Sequence, residues 1–177
     1  MTRSKLRHSK FLVPCSIFAF IFTVSCAQKT ETADYPATIG DIQYDPALDD
    51  PGFKVCNVEQ VLQYYQFGKG MQFQGEKIKI VKYFKAKFKG GEIKGESGYI
   101  TIRFVVNCEG NTGRFRMQEM DVDYQPKQFA TNISSGILEL AKNLQGWTIG
   151  TYEGIPYDYY QYLTFKIEDG TIKEILP

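Results

Sequence analysis

Between Gly98 and Asn107 the chain alternates, with Ile100, Ile102, Phe104 and Val106 apolar and Thr101 and Arg103 set between them. A period of two sends successive side chains to opposite faces of a strand, so this run commits the fold to a sheet with one apolar face. Cys108-Glu109-Gly110-Asn111-Thr112-Gly113 follows as a turn, with two glycines available for positive φ. A second strand is expected from about Arg114 to Val122, completing a β-hairpin. A hairpin alone is marginal in water, so further strands or a helix must cover its apolar face.

The cover is legible downstream. From Pro126 to about Leu144 the apolar residues Phe129, Ile133, Ile137, Leu140, Ala141 and Leu144 recur at steps of three and four, which predicts an amphipathic helix. Gly146 suits its C-terminal cap. Trp147 and a glycine-marked loop, Gly150 to Gly154, lead to a third strand over about Tyr157 to Glu168. In that strand Tyr157, Tyr159, Leu163, Phe165 and Ile167 suit the core. Tyr160 and Tyr162 then lie on the opposite face, either as exposed anchors for a partner or under a second layer from the N-terminal helices. Asp169-Gly170 turns the chain into Thr171–Leu176, a candidate edge strand.

Upstream, Asn57 and Gln60 have the spacing of a capping box, and Val58, Val61, Leu62 and Tyr65 follow helical spacing, so a short helix is expected over Asn57 to Phe67. Residues 76–88 fit both periods. Ile80, Val81, Phe84 and Phe88 share a helical face, and the good helix formers favour helix. The resulting fold class is α+β: an antiparallel three-stranded sheet (β-hairpin, helix, β-strand) with one long helix packed on it, plus N-terminal helices.

The N-terminus argues for export. Arg3, Lys5, Arg7 and Lys10 precede an apolar run of about 14 residues, Phe11 to Val24. A spanning helix needs about 20 apolar residues, whereas a cleaved signal needs only about 7–15. Thr23-Val24-Ser25-Cys26 places a small residue before a cysteine and resembles the lipobox of bacterial lipoproteins, with Thr23 in place of the usual leucine. That resemblance implies cleavage before Cys26 and lipid attachment to its thiol. Three regions are therefore expected: a signal over 1–25, a flexible tether over 26–53 and a domain over 54–177. The tether is rich in Asp, Glu, Thr, Ala and Pro, and as a coil it would reach about 28 Å. The protein is then exported, and held by its lipid on a membrane facing the periplasm or the cell surface.

Cysteine use agrees with an oxidising compartment. Setting aside Cys15 in the signal and Cys26, Cys56 and Cys108 remain, either joined as a disulfide or buried as separate thiols. Charge excludes one partner class. The whole chain has 21 basic and 20 acidic residues. Removing the four basic residues of the n-region leaves 17 against 20, a balance that does not suit nucleic acid. The stretch 69–94 nevertheless holds eight lysines and two glutamates. Lys82, Lys85 and Lys89 in it are candidate contacts to an anionic partner or lipid, or else a solvated face.

Catalytic chemistry finds no foothold. The one histidine, His8, leaves with the signal, so no Ser–His or Cys–His pair is expected. The cysteines lack zinc or redox spacing, no phosphate loop is present, and Asp121, Asp123 and Asp158 have no distinguishing spacing. Neither cofactor nor metal is expected.

The order strand, turn, strand, helix, tryptophan, glycine loop, strand resembles the C-terminal domain of TonB-type energy transducers. The carrying residues are Gly98 through Gly110, Ile137 through Trp147, then Gly150, Gly154 and the strand through Phe165, with Phe73 to Glu76 resembling the segment that often precedes it. The likeness covers about residues 70–168. It implies an α+β domain that takes an extended peptide of an envelope protein by strand addition. A transducer's spanning helix and long Pro-rich spacer are not read here, and Thr148-Ile149 replaces the usual proline. The resemblance therefore implies fold and binding mode rather than energy transduction. The alternative function is binding of lipid or an envelope polymer through 69–94.

Overall fold

Strand β2 (Gly98–Val106) lies between β3 (Thr112–Met120) and β6 (Tyr159–Glu168), antiparallel to both. The computed structural model describes residues 41–176 apart from Lys69 and Glu92. The expected signal over 1–25 and the lipid site Cys26 lie outside the described residues. Alternation over 100–106 has the expected outcome: Ile100, Ile102, Phe104 and Val106 are all buried on one face. Gly98 opens the strand at φ 145°, where a Cβ would stand 2.1 Å from the carbonyl oxygen of Met120, so only glycine lets β3 come this close. A bulge lies opposite Phe104, between the pairs Arg103–Arg116 and Val105–Gly113, and Arg114 there has φ 55°.

The sheet is larger than three strands. Beyond β6, two further strands share one side of it: β7 (Thr171–Leu176) pairs antiparallel with its C-terminal half, and β1 (Leu62–Gln63) pairs parallel with Tyr159–Tyr160. The expected loop at 150–154 is instead the first strand and turn of a separate hairpin, β4 (Gly150–Tyr152) with β5 (Ile155–Tyr157). The architecture is mixed helix and sheet, with mostly antiparallel pairing.

Two helices of equal length, rather than one long one, cover the apolar face. In α1 (Glu76–Lys87) Ile80 and Phe84 are fully buried and Val81 and Phe88 partly so, which resolves the two-period ambiguity in favour of helix. In α2 (Thr131–Lys142) Ile133, Ile137 and Ala141 are buried. Burial of each large aliphatic or aromatic side chain contributes roughly 1.5–3 kcal/mol. Trp147 is wedged edge-on between Phe73 and Phe104, with centroids 4.9 and 5.0 Å away. Helix α2 starts five residues later than the pattern predicted. Pro126 bridges to Met120, Lys127 N–H donates to the Glu119 carbonyl, and Phe129 N–H donates to Glu119 Oε2. These bonds keep 126–129 extended along β3.

The expected helix over Asn57–Phe67 is also corrected. Asn57 makes a local turn, its side-chain oxygen accepting from Glu59 N–H, and only Tyr64–Phe67 coils, as a single 3-10 turn. The cause is distant in sequence. Asp158 accepts from the Asn57 N–H through its carboxylate (2.7 Å) and from the Leu62 N–H through its carbonyl (2.9 Å), holding the segment beside β6.

The expected tether extends too far. Residues 41–53 pack on the second face of the sheet, where Ile42 is buried with Val105 and Tyr160, flanked by Phe53, Val55 and Val61. This strap is clipped by the Asp49–Arg116 pair and then by the Cys56–Cys108 disulfide, whose Cα atoms are 6.1 Å apart.

Candidate binding edge and basic helix face

An edge strand presents unpaired backbone groups to solvent, and a fold can cover them or leave them open. The two sides of this sheet differ in that respect. Along β3 two carbonyls are occupied: Phe115 C=O accepts from Arg116 Nη1 at 2.9 Å, and Glu119 C=O accepts from Lys127 N–H at 3.1 Å. Strand β7 pairs with β6 alone. Among the described residues, no backbone group of 171–176 bonds to anything outside that hairpin.

Beside β7 runs a groove of about 190 Å³ against α1, with Phe84 and Phe88 as its apolar lining, Gly90 and Gly91 at one end, and Thr171, Ile172 and Lys85 along its rim. The sheet edge thus meets a strip of apolar surface and a cation. That combination is what an extended peptide uses: backbone pairing for affinity and side-chain pockets for selection. The groove residues Phe84, Phe88 and Ile172 were not among the sites expected from sequence. Their apolar character is visible there, but their meeting across 88 residues of chain is not.

The sequence-derived site residues share no single pocket. Lys85 lines the β7 groove. Lys82 lines a separate depression of about 380 Å³ with Lys79, Tyr83 and Leu144, and Lys89 lines a third, of about 520 Å³, between α1 and α2. Tyr160 is corrected outright: it is buried under the strap at 8% exposure, so it offers no partner surface. Its burial, with Asp41 nearby, pushes its phenol up. Tyr162 is half-buried and meets Tyr64 edge-on at 5.2 Å. Their hydrogen bond, with added desolvation, pushes Tyr64 up to about 12.

Cys56, Cys108 and Asp158 form the one cluster of metal-ligating side-chain types among the described residues. Its sulfurs are bonded to each other. The Asp158 oxygens accept from Asn57 N–H at 2.7 Å and Cys108 N–H at 2.9 Å. Its donors are therefore committed to holding the strap, and the cluster is structural. Asp121 likewise accepts from the backbone N–H groups of Asp123 and Gln125, a local turn.

No helix among the described residues is long and apolar enough to cross a membrane. Compared with known proteins, the chain matches no family model, no curated protein and no solved structure.

Proposed function

We propose that this chain is an exported lipoprotein, cleaved before Cys26 and held on a membrane by lipid, whose folded domain binds an extended segment of an envelope protein by strand addition. The TonB C-terminal-like resemblance of the sequence motivates the binding mode. The reading places no enzyme chemistry, cofactor or nucleic acid in the function, and no energy transduction.

One observation supports it above the others: among the described residues β7 is an edge with its outer backbone groups open, lying beside an apolar groove, while β3 at the opposite edge has its Phe115 and Glu119 carbonyls taken by Arg116 and Lys127. Strand β7 is only six residues long and bulges at Lys173, opposite Lys166–Ile167 of β6. Such an edge suits a short peptide better than a second sheet.

The test is amide hydrogen exchange on the full chain in detergent, with and without a partner captured from envelope extract. Strand addition slows exchange across 171–176 and leaves β3 unchanged. A bound partner that protects β3, or that leaves β7 as fast as before, rejects the binding mode. Mass spectrometry of the isolated protein separately tests lipid on Cys26 and loss of 1–25.

A further inference from the structure

The charge of this protein is segregated. From Glu76 to Lys89 there are six lysines and one glutamate. Taking these from the 17 basic and 20 acidic residues that follow the n-region leaves 11 basic against 19 acidic. The chain after the n-region is thus net acidic, yet six of its 17 basic residues lie within these fourteen positions. Lys79, Lys82, Lys85, Lys87 and Lys89 are all exposed, and among the described residues none of them pairs with a carboxylate.

Their arrangement is ordered. Ile78, Lys82 and Lys85 follow i, i+4, i+7 spacing, so they form one stripe on the face of α1 turned away from Ile80 and Phe84. Lys79 borders the stripe, and Lys89 extends it just past the helix end. Like charges at three- and four-residue spacing work against the helix itself. Core packing of Ile80 and Phe84 holds the helix despite that repulsion. Ile78 stands on the same stripe at 66% exposure.

We infer that this face of α1 docks on an anionic phospholipid surface. Lysine is a compact, strongly hydrated point charge, suited to a diffuse layer of headgroups. A specific carboxylate or phosphate clamp favours the bidentate fork of arginine, and α1 has no arginine. Ile78 supplies a single apolar contact at the N-terminal end of the stripe. Near an anionic leaflet each lysine is worth about fivefold in binding. The inference goes beyond strand addition and orients the domain: α1 lies against the headgroups.

The test uses the full chain reconstituted on vesicles of phosphatidylcholine, alone or mixed with phosphatidylglycerol, with acetylation of each lysine followed by mass spectrometry. Lys79, Lys82 and Lys85 should react several-fold more slowly on the anionic vesicles, and high salt should abolish the difference. Lys54, exposed on the strap, should react equally on both. In a K79Q/K82Q/K85Q chain with unchanged Trp147 emission, Lys89 should lose its protection as well. Equal rates on the two vesicle types overturn the inference, as does protection that arises only when a soluble acidic protein is added. The lipid-anchor reading fails separately, by loss of co-sedimentation with pure phosphatidylcholine vesicles, in which case the basic face still requires co-sedimentation with anionic ones.

Discussion

Arg116 grips Asp49 through two parallel bonds, Nη1 to Oδ1 at 2.6 Å and Nη2 to Oδ2 at 2.8 Å. The Asp49 side chain is only 1% exposed, so removing the guanidinium leaves a buried carboxylate with the Asp45 N–H as its remaining donor and no counter-charge. Arg116→Ala should destabilise the strap by about 2–4 kcal/mol. Faster amide exchange over 42–50, with β2 unchanged, checks it. If exchange there does not change, the clip is not what holds the strap.

The same pair sets a pH dependence. The Arg116 hydrogen bond holds the Asp49 carboxyl below the usual carboxylate range. A depressed folded pKa contributes stability that is fully present above the ordinary carboxylate value and is lost as pH falls through the folded one. Strap attachment should therefore be constant near neutrality and weaken only in strong acid. Proteolysis of the strap against pH measures this, and in Asp49→Asn that acid limb should flatten.

Cys56 and Cys108 close a loop with a sequence separation of 52. In the chain-entropy model that bond contributes roughly 4 kcal/mol. Reduction, or the double change to serine, should lower the thermal midpoint by on the order of 10 °C. Calorimetry with and without reductant reads it directly.

Trp147 packs between Phe73 and Phe104 and joins the segment before α1 to the sheet. Trp147→Phe should cost far less than Trp147→Ala, which should lose about 3–5 kcal/mol. Denaturant midpoints distinguish the two. Equal losses would mean that the aromatic wedge is not the source of the stability.

At the alkaline end, Tyr64 is pushed up to about 12 by its hydrogen bond with Tyr162. The folded state keeps that proton over a range where the unfolded chain has released it. Stability from this pair is thus present below the ordinary tyrosine value and declines as pH rises from there towards 12. Tyr162→Phe should bring the Tyr64 titration back towards the ordinary value in an ultraviolet absorbance titration.

Much of the core was legible because its signals are local. Ile100, Ile102, Phe104 and Val106 alternate along one strand, and Ile133, Ile137 and Ala141 share one helical stripe, so their burial follows from backbone period alone. The candidate binding edge was harder to read. Its lysines are visible as a cluster, but whether Lys82, Lys85 and Lys89 share a pocket depends on how α1 rolls against β7 and α2. They line three separate depressions. Tyr160 has the same local pattern as an exposed tyrosine, and only the strap crossing above it buries it.

What the sequence determined by itself was the kind of element each stretch could form, since φ/ψ preference and side-chain period are properties of a few neighbouring residues. Tertiary structure decided where those preferences gave way. Asp158 reaches across 101 residues to the Asn57 N–H and turns a helical pattern into an extended arm. Glu119 delays α2 by claiming the Lys127 and Phe129 amides. Both are hydrogen bonds to backbone groups that cannot be buried unpaired. A helical preference of a few tenths of a kcal/mol per residue yields to them. Only that tertiary packing sets Phe84 and Phe88 of α1 beside Ile172 at the β7 edge.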